Sequence, residues 1–216
     1  MISTQKLERL PDIPTLRQVC QSIAMLDAIL EPEWEFRYYS FNSSWAPSEE
    51  MASMRDGSGS QYFILFSPVG VSIKGFDPDS FFGQWTGETE SVWPGILDQV
   101  PAEFDGFLKE PAFVLSETTF CIWRTMTDPE WHIGEIEFPQ AEEDPDGSAR
   151  LLDILDGRPE TYQAWAEDYF ERHIPLESIQ AIYRHEPLTE ILVTALNPEL
   201  TLSELAADIC EIGYPI

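Results

Sequence analysis

The residues best placed to do chemistry are two glutamates, Glu135 and Glu137, which lie two positions apart. On a β-strand such residues share a face, and the strand rise separates their carboxyl groups by about 7 Å. That separation suits an inverting glycoside hydrolase, which needs room for a water molecule between two carboxyl groups. Trp131 falls on the same face and resembles a platform for a sugar ring. A small-molecule or carbohydrate binder or hydrolase is therefore one alternative function, and it requires a concave pocket and a carboxyl pKa raised by burial.

Metal and nucleophilic chemistry find less support in the sequence. His132 alternates with apolar residues on a predicted strand, and His173 and His185 have no HExxH, CxxC or closely spaced His/Cys set around them. The acidic segment 142–147 lacks the glycine and glutamate positions of an EF-hand, so we expect a solvated loop that introduces a helix at Ser148. We expect no metal, no cofactor and no catalytic residue.

The elements that must position these side chains follow from hydrophobic periodicity. Apolar residues three and four positions apart predict a helix that begins near Pro14 and stops before Pro32. Residues 34–41 then alternate with a period of two, which predicts a strand with Trp34 and Phe36 on its core face.

The middle of the chain predicts the rest of a sheet. Residues 42–60 are rich in Ser, Pro, Asp and Gly and indicate a long mobile connection. Residues 62–66 and 71–76 predict a hairpin, and residues 119–125 and 131–138 predict a second pair of strands. With the earlier strand, these segments make about five strands, mainly antiparallel.

Helical periodicity dominates the remainder of the chain, from residue 148 to residue 216. A length of 216 residues suits one sizeable core. We therefore predict a single α+β domain over residues 1–216, with a helix and sheet core in residues 1–140 and a helical layer in residues 148–216 packed on it.

The net charge of the chain limits the classes of partner that this domain can bind. The chain has 39 Asp and Glu against 12 Lys and Arg, for a net charge of -27, with 43% hydrophobic and 12% aromatic residues. The apolar content predicts a folded protein, and the charge opposes binding to nucleic acid or anionic lipid. The same charge favours a basic protein partner, or serves solubility alone. The first residues carry no export signal and no apolar run approaches a membrane span, so we expect a cytoplasmic protein.

A family resemblance rests on residues 100–108, Val-Pro-Ala-Glu-Phe-Asp-Gly-Phe-Leu, and on Trp123 in the strand that follows. Together with the order of elements, these residues resemble bacterial toxin-immunity proteins of the SUKH kind. In that family the helix precedes the sheet, whereas here three predicted strands precede it. Residues 34–75 are similar to uncharacterised acidic bacterial proteins, and that resemblance implies no activity.

The resemblance to immunity proteins implies a non-enzymatic protein that occludes a basic partner stoichiometrically. Carboxylates around an aromatic patch would speed the encounter, and buried rings would slow release. The alternative of a structural domain predicts no aromatic patch on the surface. The predicted anchors are Trp45, Phe81, Phe82 and Trp85, and the predicted charged rim consists of Glu49, Glu50, Asp77 and Asp79.

Overall fold

A computed structural model describes residues 1–85 and 92–215 of the chain. These residues form a mixed α+β fold with an N-terminal helix α1 (Ile13–Leu30), a six-stranded antiparallel sheet and C-terminal helices, which confirms the predicted fold class. The strands are β1 (Tyr39–Ala46), β2 (Glu49–Arg55), β3 (Gln61–Phe66), β4 (Gly70–Phe76), β5 (Phe120–Thr125) and β6 (His132–Ile133). The other helices are α2 (Asp105–Leu108), α3 (Ser148–Leu152), α4 (Pro159–Tyr169), α5 (Leu176–Tyr183), α6 (Glu190–Leu196) and α7 (Ala206–Ile212).

The strands are hydrogen-bonded neighbours in chain order, and the sixth strand comes from residues 42–60. The prediction of a mobile connection there was wrong, because β1 continues to Ala46 and β2 follows after a tight turn at Ser48, whose φ is 64°. Asn42, Ser43 and Ser44 occupy half-buried or exposed positions of β1, while Met51 and Met54 supply buried positions on β2. Serine-rich composition therefore marks the outer face of a hairpin here.

The chain divides into two compact units. Unit 1 contains Met1–Leu10 and Ser53–Asp153, and unit 2 contains Pro11–Ala52 and Ile154–Ile216.

The core of unit 1 forms around the predicted hairpin of β3 and β4. Ile64, Ile73 and Ile122 align across β3, β4 and β5 and are fully buried on one face of the sheet. Because side chains alternate along a strand, the adjacent residues point to the other face.

That other face contains a buried lysine. Phe63, Lys74 and Cys121 align across the same three strands, and the ring of Phe113 stacks on Phe63 at 4.0 Å. The Lys74 Nζ donates hydrogen bonds to the backbone oxygens of Phe113 and, at 2.9 Å, Val114. Burial lowers the pKa of Lys74 to about 8, although the carboxylate of a nearby glutamate opposes this effect.

Unit 2 is organised around α1, which Asp12 caps at its first turn. Polar side chains of buried residues tie this helix to its neighbours, since Gln21 donates to the backbone oxygen of Ile212 at 2.9 Å and Asn197 donates to that of Ile29 at 2.8 Å. In residues 1–85 and 92–215, no helix combines the length and the apolar character that crossing a membrane requires.

Candidate functional site

The paired carboxylates lie outside any regular strand. The predicted strand over residues 131–138 is reduced to β6, so Glu135 and Glu137 follow it in an irregular, exposed segment. Gln99 Nε2 donates a hydrogen bond to Glu135 Oε1. Trp131 is buried and lines a cleft whose walls contain neither glutamate. The three side chains that the hydrolase hypothesis requires therefore do not share that cleft.

The acidic loop before α3 caps that helix. The two carboxylate oxygens of Asp144 accept hydrogen bonds from the backbone N–H groups of Ala149, at 3.0 Å, and of the next residue, at 3.1 Å. Asp146 is buried, and it accepts hydrogen bonds from Ser148 N at 2.9 Å and Thr4 Oγ1 at 2.5 Å. Burial raises the pKa of Asp146 to about 6. Across the described ranges, no three His, Cys, Asp or Glu side chains are grouped so as to hold a metal ion.

Two of the predicted binding residues in unit 1 are buried. Asp77 forms an ion pair with Arg150 Nη2 at 2.9 Å, and the ring of Phe82 stacks on that of Trp93 at 4.5 Å. A buried, paired carboxylate and a covered ring present nothing to a partner. Asp77 and Phe82 therefore stabilise the interior instead of forming a rim and an anchor.

The other predicted residues of unit 1 reach the surface. Asp79 is exposed, Phe81 is 44% exposed and Trp85 is half-buried. The rings of Phe81 and Trp85 each meet the Trp93 ring, with centroids 5.6 and 5.5 Å apart. This part of unit 1 thus contains one exposed ring, Phe81, and one exposed carboxylate, Asp79.

The remaining predicted residues lie on the β1–β2 hairpin in unit 2. Trp45 is exposed at the end of β1, and Glu49 is half-buried at the start of β2. Both carboxylate oxygens of Glu50 bind the guanidinium of Arg17, one at 2.6 Å. Glu50 is therefore engaged within unit 2.

The most exposed aromatic pair among the described residues was not among the predicted anchors. Residues 31–37, named here the Trp34 arch, connect α1 to β1 and contain a 3-10 turn at Trp34–Phe36. Trp34 is 60% exposed and Phe36 is 57% exposed, and neither ring meets another aromatic ring of the described residues. The prediction that these two rings face the core was wrong, because the strand begins only at Tyr39.

The Trp34 arch is held in shape by Arg37. Its Nε donates to the backbone oxygen of Glu31 at 2.8 Å, and its Nη2 donates to that of Pro32 at 2.9 Å. Its Nη1 binds Asp208 Oδ1 at 2.5 Å. These charge-assisted hydrogen bonds fix the backbone of the arch, so the exposed rings lie on an ordered segment.

Further rings of unit 2 follow the arch directly. Tyr38 meets Tyr169 edge-on with centroids 4.7 Å apart, and Trp165 stacks on Tyr169 at 5.4 Å. Tyr169 is itself exposed. Its pKa is raised by burial of the hydroxyl and then by the carboxylates of Asp27 and Glu31.

Asp27 supports this arrangement from inside unit 2. Its Oδ2 accepts hydrogen bonds from the backbone N–H groups of Tyr38 at 2.8 Å and Tyr39 at 2.9 Å, and its Oδ1 accepts one from the Tyr162 hydroxyl at 3.1 Å. Burial raises the pKa of Asp27 to about 7, although the three hydrogen bonds oppose this effect. One buried carboxyl thus fixes the start of β1 and the position of α4.

A sequence signal for the arch exists in retrospect. Pro32 directly follows the helix, and the following residues alternate acid and aromatic in Glu33, Trp34, Glu35 and Phe36. Alternation predicts a half-buried strand only where a neighbouring strand is available, and a short connection leaving a helix has none.

No protein-family model, no curated protein and no solved structure matches this chain.

Proposed function

We propose that this chain is a non-enzymatic, cytoplasmic protein-binding protein, an immunity-like factor that occludes a basic partner protein. The observation that carries the proposal is the exposure of Trp34 and Phe36 on an ordered segment, where they alternate with the exposed carboxylates Glu33 and Glu35. Aromatic side chains are enriched at surfaces that bind another protein.

Burial of the arch supplies binding energy. Removing a Trp or Phe side chain from water contributes about 2 kcal/mol or more, and Trp is enriched among the residues that dominate interface energetics. Because Arg37 already fixes the backbone of the arch, little conformational entropy is lost when a partner covers it. Trp34 and Phe36 therefore serve as anchors.

Charge selects the partner. A net charge of -27 attracts a basic surface over long range and accelerates the encounter at low ionic strength. At close range a lysine or arginine of the partner can contact Glu33 or Glu35 and lie over the Trp34 ring as a cation–π pair. Both effects favour a basic protein and oppose nucleic acid.

The exposed rings also distinguish the proposal from its alternatives. The alternative of a structural domain predicts no aromatic patch on the surface, whereas Trp34 and Phe36 are both exposed and lie two positions apart. A hydrolase needs two carboxyl groups facing one substrate, and Glu135 and Glu137 are both exposed and outside the Trp131 cleft.

Comparative affinity capture tests the proposal. Tagged wild-type protein and the double variant Trp34→Ser/Phe36→Ser are exposed to the same cell extract at low and high salt, and bound proteins are identified by mass spectrometry. The matched control is Ile191→Ser, which removes an apolar side chain of unit 2 that is 83% exposed. We expect a basic protein to bind the wild type and the control at low salt only, and to be lost from the double variant. Equal capture by all three baits, or capture of nothing basic, would refute the proposal.

The accessible residues predicted from the sequence enter the same assay. Phe81→Ser and Trp45→Ser each remove one exposed ring, from unit 1 and unit 2 respectively. Loss of the basic partner from either variant would extend the binding surface to that ring. Unchanged capture would restrict the surface to the Trp34 arch.

A further inference from the structure

A cleft of about 600 Å³ lies within unit 1, and none of the proposed partner-binding residues lines it. Its lining includes Glu8, Leu10, Arg124, Glu130 and Trp131. The volume falls within the range of about 300 to 1,000 Å³ that small-molecule sites occupy.

Both walls of the cleft are fixed by internal hydrogen bonds. On the N-terminal side, Thr4 N donates to Ser148 Oγ at 3.0 Å, Thr4 Oγ1 donates to the buried Asp146, and Leu10 is buried. On the opposite side, Asp128 Oδ2 accepts hydrogen bonds from the backbone N–H of Thr125 at 2.9 Å and from its hydroxyl at 2.8 Å. The cleft is therefore largely formed before any ligand arrives.

Arg124 gives the cleft its one cationic group among the lining residues. Its Nε donates to the backbone oxygen of Asp128 at 3.1 Å, and the guanidinium lies 5.9 Å from the Trp131 ring centroid. No described residue accepts a hydrogen bond from its two terminal nitrogens. The Nε of this guanidinium is held by a hydrogen bond, while its two terminal nitrogens can still donate to a ligand. Such a guanidinium is suited to a carboxylate, which it can bind through two parallel hydrogen bonds.

The remaining lining supplies the complementary groups. Glu8 and Glu130 are exposed carboxylates that can accept hydrogen bonds from an ammonium group. Leu7, Leu10 and Pro129 offer apolar surface for a side chain. The cleft thus presents one cation, two anions and an apolar wall.

This combination excludes several ligand classes. A phosphate dianion would be repelled by Glu8 and Glu130, and a simple cation would leave the guanidinium of Arg124 without a counterion. A sugar would need the open face of an aromatic ring, but Trp131 is buried and Arg124 lies over it. We propose that the cleft binds a small zwitterion with an apolar side chain, that is, a free α-amino acid such as leucine, with its carboxylate on Arg124 and its ammonium group on Glu8 and Glu130.

Three related probes test the proposal on the wild-type protein by calorimetry or ligand-observed NMR. L-Leucine carries both charges, leucinamide lacks the carboxylate, and N-acetylleucine lacks the ammonium group. We expect saturable binding of leucine, with each derivative at least about tenfold weaker because it loses charge-assisted hydrogen bonds. The absence of saturable leucine binding at millimolar concentration, or equal affinity for all three probes, would overturn the proposal.

Matched variants assign the two charged ends. Arg124→Gln should weaken leucine binding by about tenfold or more and abolish the preference for leucine over leucinamide. The control is Arg55→Gln, which removes a guanidinium 5.3 Å from the Phe63 ring centroid, outside the cleft, and should leave both affinities unchanged. Glu130→Gln should reduce the preference for leucine over N-acetylleucine. Identical behaviour of Arg124→Gln and Arg55→Gln would contradict the assignment of the carboxylate to Arg124.

Discussion

Replacement of the buried Asp27 by asparagine gives a sharp test of the interior of unit 2. Asparagine has the same shape, and its Oδ1 can accept the two backbone hydrogen bonds from Tyr38 and Tyr39 that Asp27 now accepts. Its amide can donate to the Tyr162 hydroxyl, which can also act as an acceptor. Asp27→Asn therefore preserves the hydrogen bonds and removes only the possibility of a negative charge.

The expected magnitude follows from the pKa of Asp27, which burial raises from 3.8 to about 7. The folded state therefore binds the proton more tightly than the unfolded state does. The resulting stabilisation is complete below about pH 4 and is lost as the pH rises towards 7. The difference between these two pKa values corresponds to about 4 kcal/mol of folding free energy, at about 1.4 kcal/mol for each pH unit. Because asparagine stays neutral, Asp27→Asn should approach the stability of the wild type near pH 4 and exceed it above pH 7 by up to this amount.

Urea unfolding between about pH 4 and pH 8 measures this difference directly. Subtracting the two free energies of unfolding at each pH cancels the contribution of other titrating groups, including Asp146, whose pKa is also raised. Asp27→Ala serves as the comparison, because it leaves three donors without their acceptor, and it should be less stable than Asp27→Asn by about 3 kcal/mol or more at every pH. If Asp27→Asn is less stable than the wild type at pH 8 and equal to it at pH 4, the charge of Asp27 is stabilising and the reasoning fails.

Three further predictions concern other buried or strained positions. Burial lowers the pKa of Lys74 from 10.5 to about 8, so the wild type should gain stability as the pH rises through that interval, and Lys74→Met should abolish the gain in urea unfolding. Gly147→Ala should lower the free energy of unfolding by more than about 2 kcal/mol in the same assay, because φ at Gly147 is +75° and a Cβ there would lie 2.3 Å from a buried side chain. The control is Gly57→Ala, where φ is +72° but the space is open, and it should lower the free energy of unfolding by about 1 kcal/mol. Arg37→Ala should lower the free energy of unfolding by about 2 kcal/mol and accelerate proteolysis within the Trp34 arch. An unchanged cleavage rate would contradict the role of Arg37 in fixing the backbone of the arch.

The sequence predicted the elements whose periodicity is long or whose neighbours are strands. The spacing of apolar residues after Pro14 predicted α1, and the two apolar runs around Pro68 predicted the β3–β4 hairpin. In both cases the hydrophobic pattern coincides with burial, because each element has a core on at least one side.

Hydrophobic periodicity gave a wrong prediction for residues 34–36, whose conformation depends on residues distant in the sequence. Trp34 and Phe36 alternate as strand residues do, but Arg37 binds the backbone of the arch and Asp208, and this holds the segment in a 3-10 turn. The pairing of Arg37 with Asp208 joins positions far apart in sequence, so no local pattern contains it.

For the candidate site, the sequence predicted the types of side chain, aromatic rings and carboxylates, but not the residues that the structure exposes most. Phe81 and Asp79 are exposed, as a binding role requires, but the predicted set also included Asp77, which the sequence gives no reason to pair with Arg150. The cleft around Arg124 could not be predicted at all, because residues near the N-terminus form one of its walls.

We propose that the Trp34 arch binds a basic protein, and a binding isotherm with the purified captured partner is the most direct test. Titrations of the wild type and Trp34→Ser are measured at several salt concentrations. The claim predicts that Trp34→Ser weakens binding by about tenfold or more at every salt concentration, and that both proteins lose affinity in parallel as salt increases. Equal affinity of the two proteins, or binding that does not respond to salt, would contradict it.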